Sequence, residues 1–278
     1  MKQKFEVPYN FDISLIDRLI PYKDFIDFIY MPSYYEDGEN SRKDIILRGE
    51  VASSWEEYVS HVDKIKENFN IGVLIQNQST IELIDKYYSL GIRIFVLNDN
   101  ELVIKAKEKY SDIRCILSIT SVISSDDINN NDYSMYDEIV LFFNFCRQLH
   151  LLKELPTKYK YVIIVNSHCV FNCDRASAHW NLNADTNEEY GEKVIKIIRG
   201  YCSEVYREDR AYIQPNDLVY FNDYISNYKL VDRLMSTEDI VYEIDKYTKT
   251  YENTRKEISW YMIDENYTPS SEDEEVYE

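Results

Sequence analysis

Short runs of β-branched and aromatic residues alternate along this chain with segments whose apolar residues recur at helical spacing. The runs are Lys4–Tyr9, Phe25–Tyr30, Ile71–Ile75, Arg93–Leu97, Ile113–Ile119, Glu138–Phe142, Lys160–Val165 and Tyr228–Arg233. Most of their positions are apolar, the pattern of strands covered on both faces. Between them, Ile13, Ile16, Leu19 and Ile20 share one helix face. Ser54-Trp55-Glu56-Glu57 and Ser79-Thr80-Ile81-Glu82 carry the spacing of helix N-caps. Further helices fit Asn100–Lys109, Arg147–Glu154, Glu188–Cys202 and Thr237–Tyr251. The polar, Asn/Asp-rich stretch Ser124–Ser134 reads as a loop.

Strands joined by helical crossovers predict an α/β fold, a (β/α)8 TIM-type barrel forming a single domain over residues 1–262. An open doubly wound sheet is the rival, but no Gly-rich phosphate loop follows the first strand. The repeat is interrupted at Met31–Val51 and again at Asn166–Leu218. The second interruption is a long Cys-containing insertion after strand seven, too long for a plain βα loop.

Composition narrows the partners. Of 278 residues, 45% are hydrophobic and 29% charged, as in ordinary globular chains. The net charge is −19, from 50 acidic and 31 basic side chains. Residues 263–278 read as an acidic, disordered tail, in which Asp264 to Glu278 hold seven acids and no Lys or Arg. A surface this negative disfavours nucleic acid and anionic membranes as partners. No apolar run approaches the ~20 residues of a membrane span. With no signal-peptide pattern and five cysteines in a chain of this size, a cytoplasmic protein is expected.

Barrel chemistry belongs at the C-terminal ends of the strands. Polar residues fall there repeatedly: Asn10, Ser33, Asn77, Asn98, Ser118 with Thr120, Asn144, Asn166 and Arg233. Their convergence would make a polar pocket, although Asn at such positions also simply caps turns. Just after strand seven come Asn166-Ser167-His168-Cys169-Val170-Phe171-Asn172-Cys173-Asp174-Arg175, with His179 beyond and Cys202 downstream. Thiolates four residues apart can converge on zinc or an iron–sulfur cluster. Zinc would take Cys169, Cys173, Cys202 and either His168 or His179. Inert thiols are the plain alternative. Cys115 and Cys146 sit in apolar contexts and read as core, whereas His61 and His150 read as surface residues on helices.

Three stretches resemble the peptidase U32 family. They are Val7-Pro8-Tyr9-Asn10-Phe11-Asp12, the segment Val165-Asn166 through Cys169, Cys173, Arg175 and His179, and the closing run Cys202, Ile213–Leu218 and Tyr228–Arg233. The resemblance implies a barrel with a [4Fe–4S] cluster on Cys169, Cys173 and Cys202. Relatives in that wider family carry out oxygen-independent hydroxylation, and some work as paired subunits. Asp174 stands where the family commonly has Pro, and three cysteines are placed where hydroxylating members usually have four.

The expected function is a redox enzyme that hydroxylates or otherwise modifies a small molecule or peptide without oxygen. Asn10, Asn77, Asn166, Arg175, His179 and Arg233 would line its pocket. The alternatives are a non-catalytic subunit or binding module with a structural metal, and a peptidase. A homodimer, or a heterodimer with a related subunit, fits any of these readings.

Overall fold

A computed structural model of the chain describes residues 3–34, 52–75, 80–121, 124–170, 210–232 and 235–250. Eight strands close into an all-parallel barrel: β1 (Lys4–Pro8), β2 (Ile26–Pro32), β3 (Asn70–Leu74), β4 (Ile94–Leu97), β5 (Arg114–Leu117), β6 (Glu138–Val140), β7 (Tyr161–Ile164) and, closing the ring, β10 (Asn227–Lys229). Each pairs with its sequence neighbour, except that β10 sits between β7 and β1. Every strand overlaps one of the eight apolar runs. The predicted Tyr228–Arg233 run differs most, since the strand stops at Lys229, four residues short, and Arg233 lies outside the described residues.

Helices α1 (Ser14–Leu19), α2 (Trp55–Lys66), α3 (Ile81–Ser89), α4 (Asn100–Lys109), α5 (Ser125–Asn130), α6 (Leu149–Glu154) and α7 (Thr237–Thr250) accompany the strands. Side-chain oxygens start several of them. Ser54 accepts from the Glu57 N–H, Thr80 from Leu83 and Asp99 from Leu102. On α2 the buried face is Tyr58, His61, Val62 and Ile65, a helical stripe against the barrel. At the end of α3, Gly91 takes φ +85°, a conformation that suits glycine, and its N–H reaches the Tyr88 carbonyl.

Two features depart from the sequence reading. The stretch expected as a loop from Ser124 contains α5, because Ser124 and Asp127 form a reciprocal capping box. The Cys-containing region opens with a strand, β8 (Asn166–Val170), paired antiparallel with β9 (Arg210–Tyr212) outside the barrel. The predicted helix 188–202 lies outside the described residues, as does the acidic tail. Among the described residues no helix is long and apolar enough to cross a membrane.

The core lies between the strands and the helical layer. Phe5 of β1 meets Tyr228 of β10 and Tyr247 of α7, with ring centroids 5.5 and 5.7 Å away. The Tyr247 hydroxyl donates to the carbonyls of Val165 and Ile213, pinning α7 to both ends of the region that leaves the barrel after β7. Cys115 and Cys146 are fully buried, as expected of core thiols, and burial pushes the Cys115 thiol up to about 12.

Candidate active site at the C-terminal mouth

Alternation along a strand decides what faces the lumen. Phe5 points out to Tyr247 of α7 and Tyr228 points out to the Leu218 carbonyl and Asn222, so Glu6 and Lys229, which are register partners on β1 and β10, point in. Lys229 Nζ lies 2.5 Å from Glu6 Oε2 and 4.0 Å from the centroid of the Tyr30 ring. Glu6 is 0% exposed and Lys229 5%. A second ionic group spans the lumen nearer the N-terminal ends of the strands. Arg114 on β5 reaches Asp27 on β2 at 2.6 Å and Glu138 on β6 at 2.5 Å. The Asn227 amide of β10 also donates to Asp27.

Burial and neighbouring charge act against each other at Glu138 and Arg114. Burial raises the Glu138 pKa, the Arg114 guanidinium opposes that, and the negative Glu6 adds to the rise. Burial also works against the Arg114 charge, but the facing Glu138 and Asp27 more than offset it and raise its pKa. The lumen is therefore polar at its base, with Lys229, the last residue of β10, closest to the mouth.

At the mouth, Asn10 and Asn166 bind the protein's own backbone. Asn166 clamps Val231, donating to its carbonyl at 3.1 Å and accepting from its N–H at 2.7 Å. Asn10 donates to the Met235 carbonyl and the Thr237 hydroxyl and accepts from the Asp12 N–H. Thr237 in turn donates to Asp12, the main cause of the lowered pKa of that carboxyl. Two non-glycine residues adopt positive φ beside these contacts, Phe11 at 62° after β1 and Asp232 at 81° after β10. Strained backbone of this kind is characteristic of functional rims.

Cys169 is half-buried on β8, its sulfur packed against the core and its N–H donating to Ser167 Oγ. Of the remaining expected site residues, Asn77, Cys173, Arg175, His179, Cys202 and Arg233 lie outside the described residues. Among the described residues, no three His, Cys, Asp or Glu side chains form a metal-holding group.

His61 corrects the sequence reading. It is 7% exposed and its Nδ1 lies 2.5 Å from the Tyr9 hydroxyl, because α2 turns this position toward β1. Its ring also meets Phe11 edge-on. The lumenal charges were the larger omission, although a signal existed. Glu6, Arg114 and Lys229 each interrupt an apolar strand run, and Glu138 opens one.

No protein-family model matches the chain, and no curated protein matches it in sequence. Solved structures do. A U32 peptidase superposes with TM-score 0.52 at 14% identity, covering 83% of this chain and 93% of that one. The chain shares its fold with that U32 peptidase. A conserved protein of unknown function from Enterococcus faecalis matches with TM-score 0.47 at 12% identity, over 89% of this chain and 66% of that one. Tryptophan synthase from M. tuberculosis matches with TM-score 0.49 at 8% identity, over 89% of both chains. The U32 match accords with the fold implied by the resemblance in the sequence.

Proposed function

We propose that the chain is a barrel enzyme acting at its C-terminal mouth on a small molecule or peptide, with redox chemistry carried by a cluster on Cys169, Cys173 and Cys202. The observation that carries the reading is the position of Cys169. The barrel's seventh strand ends at Ile164, and β8, which bears Cys169, leaves directly from that end. Cys169 is half-buried in a strand whose other residues are mostly polar, a partly accessible setting that suits a thiolate ligand. Cys173 follows four residues later in the sequence. A [4Fe–4S] cluster would supply one-electron chemistry there, and zinc is the alternative occupant for the same thiols.

Around that centre the chain's own residues have separate tasks. Asn166 and Asn10 fix the backbone turns after β10, which keeps the rim in one shape. The Glu6–Lys229 pair makes the lumen just below the mouth polar rather than an apolar plug.

Anaerobic purification with iron and acid-labile sulfide analysis tests the proposal. About four of each per chain is expected, with visible absorbance that is lost in Cys173→Ala. A colourless, iron-free protein overturns it, and one zinc per chain would substitute the structural-metal reading. The U32 neighbour is called a peptidase, so cleavage of peptides by the iron-free chain would replace redox chemistry with hydrolysis.

A further inference from the structure

Tyr9, His61 and Glu57 form a hydrogen-bonding line that no step of the proposed function uses. The Tyr9 hydroxyl donates to His61 Nδ1 at 2.5 Å, and both residues are buried. Burial lowers the His61 pKa, so the imidazole is neutral at pH 7 and its one proton sits on Nε2. Nε2 faces Glu57 Oε1 at 3.9 Å, while Glu57 Oε2 accepts from the Ser53 N–H at 2.7 Å. Burial, and then the negative Asp12, hold Tyr9 in its protonated form by raising its pKa. A protonated phenol thus lies against an empty proton acceptor, with a carboxylate behind that acceptor.

Rings connect this buried phenol to the surface. Tyr9 meets Phe11 with centroids 5.4 Å apart, Phe11 meets Tyr58 at 6.3 Å, and Tyr58 stacks on Trp55 at 5.5 Å. Trp55 is half-buried, so its ring reaches solvent. Electrons cross such packed contacts without any space for a ligand. Two of the rings are poor places for an electron vacancy to rest. The Tyr58 hydroxyl donates to the Pro32 carbonyl, which takes up no proton, and the Lys86 ammonium 3.7 Å over Trp55 opposes positive charge there.

We propose that Tyr9 is a redox-active tyrosine that gives up one electron by way of Trp55 and its phenolic proton to His61. The oxidant is an outer-sphere one-electron acceptor, which needs only to touch Trp55 and is reduced by one electron. The Tyr9 O–H bond breaks and an N–H bond forms at His61 Nδ1. The products are a neutral Tyr9 phenoxyl radical and a His61 imidazolium. Loss of the electron alone would leave a cation radical buried among apolar rings. Transfer of the proton moves that positive charge onto the ring that faces Glu57. The inference goes beyond the proposed function and requires no cluster.

Flash-quench oxidation of the full chain by photogenerated tris(bipyridyl)ruthenium(III) tests it, with radicals followed by transient absorption and EPR. A tyrosyl radical should outlive those of exposed tyrosines at least tenfold, because no second ring can couple to it. Its ENDOR spectrum should show an exchangeable proton hydrogen-bonded to the phenoxyl oxygen, which is lost in D2O. The long-lived signal should vanish in Tyr9→Phe, fall at least tenfold in His61→Phe and form at least tenfold more slowly in Trp55→Phe. A signal that decays with the exposed radicals, persists in Tyr9→Phe, keeps its yield in His61→Phe or lacks the exchangeable proton overturns the proposal. Unchanged formation in Trp55→Phe overturns the route. The wild-type lifetime and ENDOR spectrum stand as tests even if a core variant fails to fold. Tyrosyl spin is distinct from that of an iron–sulfur centre, so this outcome and the iron analysis are read independently.

Discussion

His61 sits where a helix stripe would ordinarily place an apolar residue, and its pKa is lowered, chiefly by burial, with Glu57 opposing. The folded protein therefore resists protonating a group that the unfolded chain protonates near pH ~6.5. The contribution is complete above that value and is lost as pH falls toward the folded pKa. Denaturant unfolding at pH about 7.5 and about 5.5 should show a drop in stability that is smaller in His61→Phe. An equal drop in both proteins would place the pH dependence elsewhere. Asp12 and Asp245 have lowered pKa values, so their contributions disappear only at more acidic pH and do not confuse the comparison.

At the scale of elements, β2 and β3 fit because one position carries no side chain. A Cβ on Gly72 would stand 2.5 Å from Cε2 of Phe28, a ring that is itself fully buried. Gly72→Ala should cost ~1–3 kcal/mol by overpacking. Combined with Phe28→Leu, the loss should be smaller than the sum of the single changes, measured by a double-mutant cycle of urea unfolding. Strict additivity would mean that the two strands shift apart instead. The strands themselves were legible because burial on both faces demands near-continuous apolar runs, and all eight barrel strands show one. Helix α5 was not, because its Ser124–Asp127 cap is a local device inside a stretch with little apolar periodicity, and Ile128 is the one buried residue of the helix. The β8–β9 pairing was also hidden, since it joins segments some forty residues apart through backbone bonds that leave no side-chain pattern. Asn10 and Asn166 do follow the ends of β1 and β7, but a sequence does not say whether an amide faces a substrate or the chain. For Asn166 both ends of the amide meet Val231.

At the scale of the whole molecule, the imbalance of charge should govern how stability responds to salt. The chain has 50 acids against 31 bases, so at least nineteen carboxylates have no basic side chain to match them. Exposed pairs such as Arg18–Glu238 and Lys64–Glu67 are in contact, at 2.5 and 2.8 Å, and are worth ~0–1 kcal/mol each. Repulsion between unmatched acids acts over longer separations, the range that a Debye length of ~10 Å at 0.1 M salt removes first. Sodium chloride should therefore cost the contact pairs less than it relieves the repulsion, while the lumenal pairs, away from bulk ions, change little. Raising it from about 0.02 to about 0.2 M should increase the melting temperature of the full chain. A decrease would mean that the contact pairs outweigh the excess charge. The same field bears on any small molecule that approaches the chain: association rates of carboxylates should rise with ionic strength, while those of neutral amides should be nearly independent of it.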